Sequence, residues 1–266
     1  MSAAAVVCTD SSALLAEHDV VRLGIEVVRV AIALDGEPVP EDVDADAFYA
    51  RLSAGARATT SQPSPAEFAA VYAAAAARGE RSVLSIHLDG RVSGVAASAE
   101  SAAREAPIPV TVVATETVSF GVGICARATA EALAAGASRR AASMIARRLG
   151  STLRNVFVAP NAPAGRVGSS DQWTVLVFAE GAAEALATCG SALETVAVMS
   201  EQILASALPI RAAVGHAAAT SELAADALAA ALASSGGVVE VERYRVGPAV
   251  GAHSGPFSFG AFWWPA

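Results

Sequence analysis

The sequence predicts an α/β protein of two domains, an N-terminal parallel-sheet domain followed by a smaller C-terminal α/β domain. Three observations predict it. β-Branched runs alternate with helix-length, alanine-rich segments, the pattern of βαβ crossovers. A Pro/Gly/Ser-rich stretch without periodicity, APNAPAGRVGSSDQ, interrupts that alternation just before residue 160 and runs to residue 172. Hydroxyl-rich segments recur at the carboxyl ends of the expected strands, where open α/β sheets bind ligands.

The elements follow in order. AAVVCT (4 to 9), IEVVRVAIAL (25 to 34), RSVLSIHL (81 to 88), PVTVVAT (109 to 115) and RNVFVAP (154 to 160) read as strands bounded by turn chemistry. Helices are expected over 65 to 78, stopped by Gly79, over 94 to 105, and over 120 to 135, stopped by Gly136. The pairs Arg139-Arg140 and Arg147-Arg148 read as one solvated helix face. The domain boundary is expected near 160, giving domains of residues 1 to 160 and 161 to 266. WTVLVFAEG (173 to 181) restarts a strand, followed by a helix near 199 to 207, a strand at 210 to 216, a helix over 220 to 233 and a strand at 238 to 246.

Composition excludes several functions. The 266 residues are 54% hydrophobic, but alanine dominates that fraction and aromatics make up only 5%. Small-residue helix faces are implied, and no apolar run is long enough to span a bilayer. The start, MSAAAVVCTDSS, carries neither a basic n-region nor a long apolar core, so a cytoplasmic protein without integral membrane association is expected. A formal charge of −8, with all 18 basic residues arginine, argues against a nucleic-acid partner. Cys8, Cys125 and Cys189 are too far apart for a disulfide framework or a metal site and read as buried thiols; no metal or cofactor is expected.

The segment ATTSQPSPAEF (58 to 68) holds more polar residues than a helix start needs. Ser64, Pro65 and Glu67 suffice for an N-cap, a first helical residue and a capping box, leaving Thr59, Thr60, Ser61 and Gln62 without a capping role. Further clusters are TDSS (9 to 12), DGRVSG (89 to 94) and TETVSFGVG (115 to 123). Hydroxyls gathered at a helix start suit a carboxylate or phosphate. Each also has a structural reading: TDSS as turn chemistry, GVG as close packing, Ser93 as a helix start, and His18, His87 and His216 as ordinary structural histidines. His253, within GPAVGAHSGP, differs. Three glycines and two prolines in ten residues are expected to exclude ordinary helix and to hold the imidazole on a fixed path.

The motifs VVCTDSSALL, TTSQPSPAEF, VSGVAASA, VSFGVG, GRVG and VGPAVGAHSGP, in this order, resemble those of the DegV family, which includes the fatty-acid-binding subunits of bacterial fatty acid kinase. The resemblance covers nearly the whole chain. It implies a two-domain DegV-like fold with a long-chain fatty acid buried between the domains and its carboxylate at their junction, where the C-terminal tail returns. Thr60, Ser61, Ser93 and His253 match the residues around that carboxylate. Arg166 matches an arginine near the head group and the phosphoryl-transfer site, where a kinase subunit would meet the ligand.

The chain departs from the family pattern at Asp89-Gly90, Val95 and Thr115-Glu116, where hydroxyls or an aspartate are usual, and at Glu194 and Glu201, where a basic stretch is usual. Three function classes stay open at this point. One is a non-catalytic protein that binds a fatty acid and presents it to a kinase for acyl-phosphate formation. Another is an esterase with Ser93 as nucleophile and His253 as base, for which no acid is identifiable. The third is a diverged scaffold that has lost fatty-acid binding.

Overall fold

The computed structural model describes residues 5–40, 43–159, 172–207 and 209–266. In chain order its elements are β1 (Ala5–Asp10), a 3-10 turn (Ser11–Ala13), α1 (Glu17–Leu23), β2 (Glu26–Val28), β3 (Ala31–Leu34), β4 (Glu37–Pro38), α2 (Ala45–Ser53) and β5 (Ala58–Ser61). Then follow α3 (Pro65–Ala77), β6 (Ser82–His87), α4 (Val95–Ala103), β7 (Val110–Ala114), α5 (Phe120–Ala134), α6 (Arg139–Thr152) and β8 (Arg154–Val158). The remainder comprises β9 (Trp173–Ala179), β10 (Ala182–Cys189), α7 (Ala192–Leu204), β11 (Ile210–His216), α8 (Ala219–Ala233), β12 (Val238–Arg245), α9 (Pro248–Ser254) and β13 (Phe259–Pro265).

The chain divides into two compact units, one of Met1–Ala31 with Ser61–Ser151 and the other of Ile32–Thr60 with Thr152–Ala266. Residues 32 to 60 thus group with the C-terminal part of the chain, a grouping that sequence order does not supply.

The first unit is built on a four-stranded sheet in the order β2-β1-β6-β7, every pair parallel. Val6 and Cys8 of β1 and Val83 of β6 point to the face covered by α3 and α4, where Phe68, Tyr72, Ala75, Val95 and Ala99 complete a buried cluster. Small residues let these layers close: Ala75 and Ala99 are wholly buried. From β1 the chain first adds β2 on one side and later β6 on the other, so the strand order reverses between β1 and β6. In open α/β sheets such a reversal marks the place, at the strands' carboxyl ends, where ligands bind.

The second unit holds a six-stranded mixed sheet in the order β10-β9-β8-β13-β11-β12 and a small sheet in the order β4-β3-β5. Val156, Val175, Met199, Ile203, Val214, Leu228 and Leu232 form its apolar core. The strand β13, unread in the sequence, is central: it pairs antiparallel with both β8 and β11. Gly260 permits this, because a Cβ there would strike the Val156 carbonyl and lie 2.6 Å from the Phe157 Cβ.

Three expectations are corrected. The run 25 to 34 is not one strand but β2 and β3, in different sheets, because the Val30 N–H donates to Ser11 Oγ (3.0 Å) instead of continuing a ladder. The helix expected near 199 begins at Ala192, where Ser191 caps by accepting from the Glu194 N–H at 3.1 Å and Glu194 accepts from the Gly190 N–H at 2.7 Å. GPAVGAHSGP does contain a helix, α9. Pro248 occupies its first turn, where no N–H is needed, and Gly251 sits mid-helix because a Cβ there would collide with the Tyr49 ring.

Candidate functional site

The opening segment of α3 folds as its residues dictate. Ser64 Oγ accepts from the Glu67 N–H at 3.3 Å, and Glu67 Oε2 accepts from the Ser64 N–H at 2.7 Å and the Ser64 hydroxyl at 2.8 Å, closing a capping box ahead of Pro65. Those bonds, the backbone one foremost, hold the Glu67 carboxyl below its ordinary range. Gln62 also has a structural task. Its Nε2 donates to Ser98 Oγ at 3.1 Å, and its carboxamide lies against Gly94 so closely that a Cβ there would sit 2.9 Å from Nε2. Gln62 therefore ties the end of TTSQ to the first turn of α4, directly after Ser93. Nothing in the sequence singled it out for this.

Thr60 lies in β5, half-buried, and its Oγ1 shares a 2.8 Å hydrogen bond with His253 Nε2. His253 is in the last turn of α9 and exposed. Its position depends on how α9 seats: Gly251 packs against Tyr49 of α2, whose hydroxyl donates to the Val246 carbonyl at 2.7 Å. Ser61 ends β5 and is exposed. Ser93 is half-buried, and its Oγ accepts from the Val95 N–H at 3.4 Å. The structure thus joins Thr60 to His253; Ser61 and Ser93 belong to the other unit, and Arg166 lies outside the described residues.

Asp89, one of the departures, shapes its own loop. It accepts from the Arg91 N–H at 2.8 Å and from the Arg91 guanidinium at 2.6 and 3.0 Å. These contacts, the side-chain hydrogen bond foremost, hold its carboxyl below the ordinary range. The loop leading to Ser93 is thereby fixed by a buried carboxylate.

An Asp–His–Ser arrangement exists elsewhere. His87 Nδ1 is 2.7 Å from Asp10 Oδ2, and its Nε2 is 2.7 Å from Ser85 Oγ. All three residues are completely buried, and Ser85 is also bonded to the Tyr72 hydroxyl at 2.8 Å, so no substrate carbonyl reaches it. His87 is the satisfied core imidazole the strand reading implies. His216 is buried as well, but its Nδ1 lies 3.1 Å from the Arg243 guanidinium and its Nε2 has no hydrogen bond among the described residues. Among the described residues no carboxylate lies within 4.0 Å of His253 to serve as the acid of a triad, and no cluster of His, Cys, Asp and Glu is placed to hold a metal ion. No helix among them is long and apolar enough to cross a membrane.

Residues 4–159 match a family model described as "Uncharacterised protein, DegV family". A DegV domain-containing protein of Streptomyces coelicolor is 30% identical over 273 residues, spanning 96% of each chain. Among solved structures, one from Thermus thermophilus, described as "Fatty Acid Binding of a DegV family Protein", superposes with a TM-score of 0.88 at 29% identity, covering 98% of this chain and 99% of the other. A Thermotoga maritima structure described as a DegV lipid binding protein also reaches 0.88, over 98% of each chain; at 22% identity it attests the fold alone.

Proposed function

Because this chain belongs to the DegV family, we propose that it binds a long-chain fatty acid and holds its carboxylate through Thr60 and His253, with Ser61 and Ser93 as further hydroxyl donors. The observation that carries this reading is the Thr60–His253 hydrogen bond, which pairs an exposed imidazole with a hydroxyl at two positions the family motifs mark. The fatty-acid binding described for the Thermus thermophilus relative supports it.

The physics is consistent. An acyl chain of about fifteen methylenes, at ~0.8 kcal/mol each, contributes roughly 12 kcal/mol before the entropy of immobilising it is subtracted. The tail supplies affinity. A carboxylate withdrawn from water must be hydrogen-bonded, and neutral hydroxyls with an imidazole do so without requiring a buried ion pair.

Presentation of the bound acid to a kinase subunit is the finer reading. Arg166 is its proposed contact, and it rests on the family resemblance. Of the acidic residues in place of the usual basic stretch, Glu194 is engaged in capping α7. Free, buried Cys8, Cys125 and Cys189 fit the proposed cytoplasmic placement. The test is titration with a fluorescent fatty acid. Saturable binding to the wild type, weakened in His253→Ala, is expected; equal affinity of the two would remove His253 from the site.

A further inference from the structure

The buried chain Asp10, His87, Ser85 and Tyr72 takes no part in the Thr60–His253 pair, yet it is continuous. Its links measure 2.7, 2.7 and 2.8 Å, and all four residues are completely buried. The second Asp10 oxygen accepts from the Ser12 N–H at 3.1 Å and from the Ser12 hydroxyl.

Hydrogen-bond accounting gives the chain one direction. With Asp10 as a carboxylate, His87 Nδ1–H donates to it, which leaves Nε2 of the neutral ring as an acceptor for the Ser85 hydroxyl. Ser85 Oγ then accepts from the Tyr72 hydroxyl, and every proton has an acceptor. Run the other way, Tyr72 would accept from Ser85, and its own hydroxyl proton would have no partner among the described residues. The carboxylate therefore sets the orientation of each group back to Tyr72.

Two of the chain's members, Asp10 and His87, close strands that lead into hydroxyl-bearing segments, and Tyr72 lies in the third turn of the helix that a further such segment opens. Asp10 closes β1 and holds the Ser11–Ala13 turn, against which Gly123 of α5 packs so tightly that a Cβ would strike the Ala13 carbonyl. His87 closes β6 just before the loop to Ser93, and its own carbonyl accepts from the Thr115 N–H and hydroxyl, each at 2.9 Å. Tyr72 belongs to α3, the helix that TTSQPSP opens, and Phe68 in the first turn of α3 stands edge-on to the His87 ring at 5.1 Å. Asp10 and His87 come from β1 and β6, the strands between which the order reverses.

We propose that Asp10, His87, Ser85 and Tyr72 are positioning residues: one buried hydrogen-bonded chain holds the Ser12 turn, the segment leading to Ser93 and the start of α3 in mutual register, so that the ligand's carboxylate meets hydroxyls already in place. The inference rests on the fatty-acid reading above. Its energetic basis is preorganisation, which raises affinity by removing the cost of ordering donors on binding. A chain that only stabilises the core would change the unfolding midpoint and leave the affinity of the folded protein untouched.

The experiment compares wild type, His87→Asn, which keeps a donor to Asp10 but loses the acceptor for Ser85, and Tyr72→Phe, which removes only the terminal hydroxyl. Affinity for cis-parinaric acid is measured under conditions where each variant is folded, alone and combined with Ser93→Ala. Amide exchange is followed without ligand. The proposal expects His87→Asn to bind about tenfold more weakly, with faster exchange confined to residues 11–12 and 93–94. In the Ser93→Ala background the additional loss should shrink to less than about twofold, because the chain acts through that hydroxyl. Wild-type affinity in both folded variants, or losses that multiply fully in the double variant, would overturn it. If His87→Asn does not fold, Tyr72→Phe decides by the same criteria. A wild type that takes up no fatty acid would instead overturn the binding reading, and the ligand-free exchange would still show whether the chain holds these segments.

Discussion

Thr60 Oγ1 and His253 Nε2 meet at 2.8 Å although 193 residues separate them in sequence. The bond needs the hydroxyl, not the threonine methyl. Thr60→Ser should therefore bind fatty acid nearly as the wild type does, whereas Thr60→Val should lose about 1 to 3 kcal/mol of binding free energy, the usual cost of leaving a polar partner unpaired. A fluorescent fatty-acid titration of the two variants distinguishes them; equal binding by Val and Ser would mean that the hydroxyl does not serve the head group.

His253 is aimed by α9, and α9 is seated by the contact of Gly251 with Tyr49. Gly251→Ala should destabilise the protein by about 1 to 3 kcal/mol through overpacking. Tyr49→Phe, which removes the bond to the Val246 carbonyl but keeps the ring, should cost about 1 kcal/mol. Urea denaturation reads both. A Gly251→Ala variant as stable as the wild type would show that α9 has room to shift.

Burial holds the His216 imidazole below its ordinary pKa, assisted by the charges of Arg245 and Arg243 and opposed by Glu222 and Asp226. Below about pH 6.5 the unfolded chain takes up a proton that the folded protein resists. The stabilisation is therefore complete above that pH and declines as pH falls through the folded-state value. His216→Gln should flatten the fall in urea midpoint between about pH 6.5 and the acid limb; an unchanged slope would assign the pH dependence to other groups.

Cys8 and Cys125 are buried free thiols, each pushed up to about 12 by desolvation. At about pH 8 neither should form the thiolate that disulfide reagents attack. Native protein should stay unlabelled by such a reagent, with reaction appearing only in denaturant. Rapid labelling of either cysteine in the native protein would contradict the packing around β1 or α5.

What the sequence made legible was local or carried by motifs. Ser64, Pro65 and Glu67 lie within four residues and need nothing distant to form their capping box, so the start of α3 could be read directly. Thr60 and His253 could be picked out because each lies in a specific family motif. The Asp10–His87 contact joins residues 77 apart, and neither TDSS nor the β6 run indicates the other. The α9 helix was hidden because glycine and proline look like breakers until Tyr49 is known to occupy the space beside Gly251. The split of residues 25 to 34 depends on Ser11 capturing the Val30 N–H, a tertiary contact that overrides an unbroken β-branched run. Gln62 was counted among the surplus polar residues, yet its partner is Ser98 on α4, so not every spare side chain at that helix start is left for a ligand.

The central claim is that this chain carries a long-chain fatty acid as a non-covalent ligand. Mass spectrometry of lipid extracted from purified, denatured wild-type protein tests it most directly, with Thr60→Val/His253→Ala prepared in parallel. The account predicts about one fatty acid per wild-type chain, released without hydrolysis, and a clear reduction in the double variant. An acyl group found covalently attached to Ser93 would contradict it in favour of an esterase. No lipid in the extract, together with no uptake of added fatty acid, would contradict it in favour of a scaffold that has kept the fold and lost the ligand.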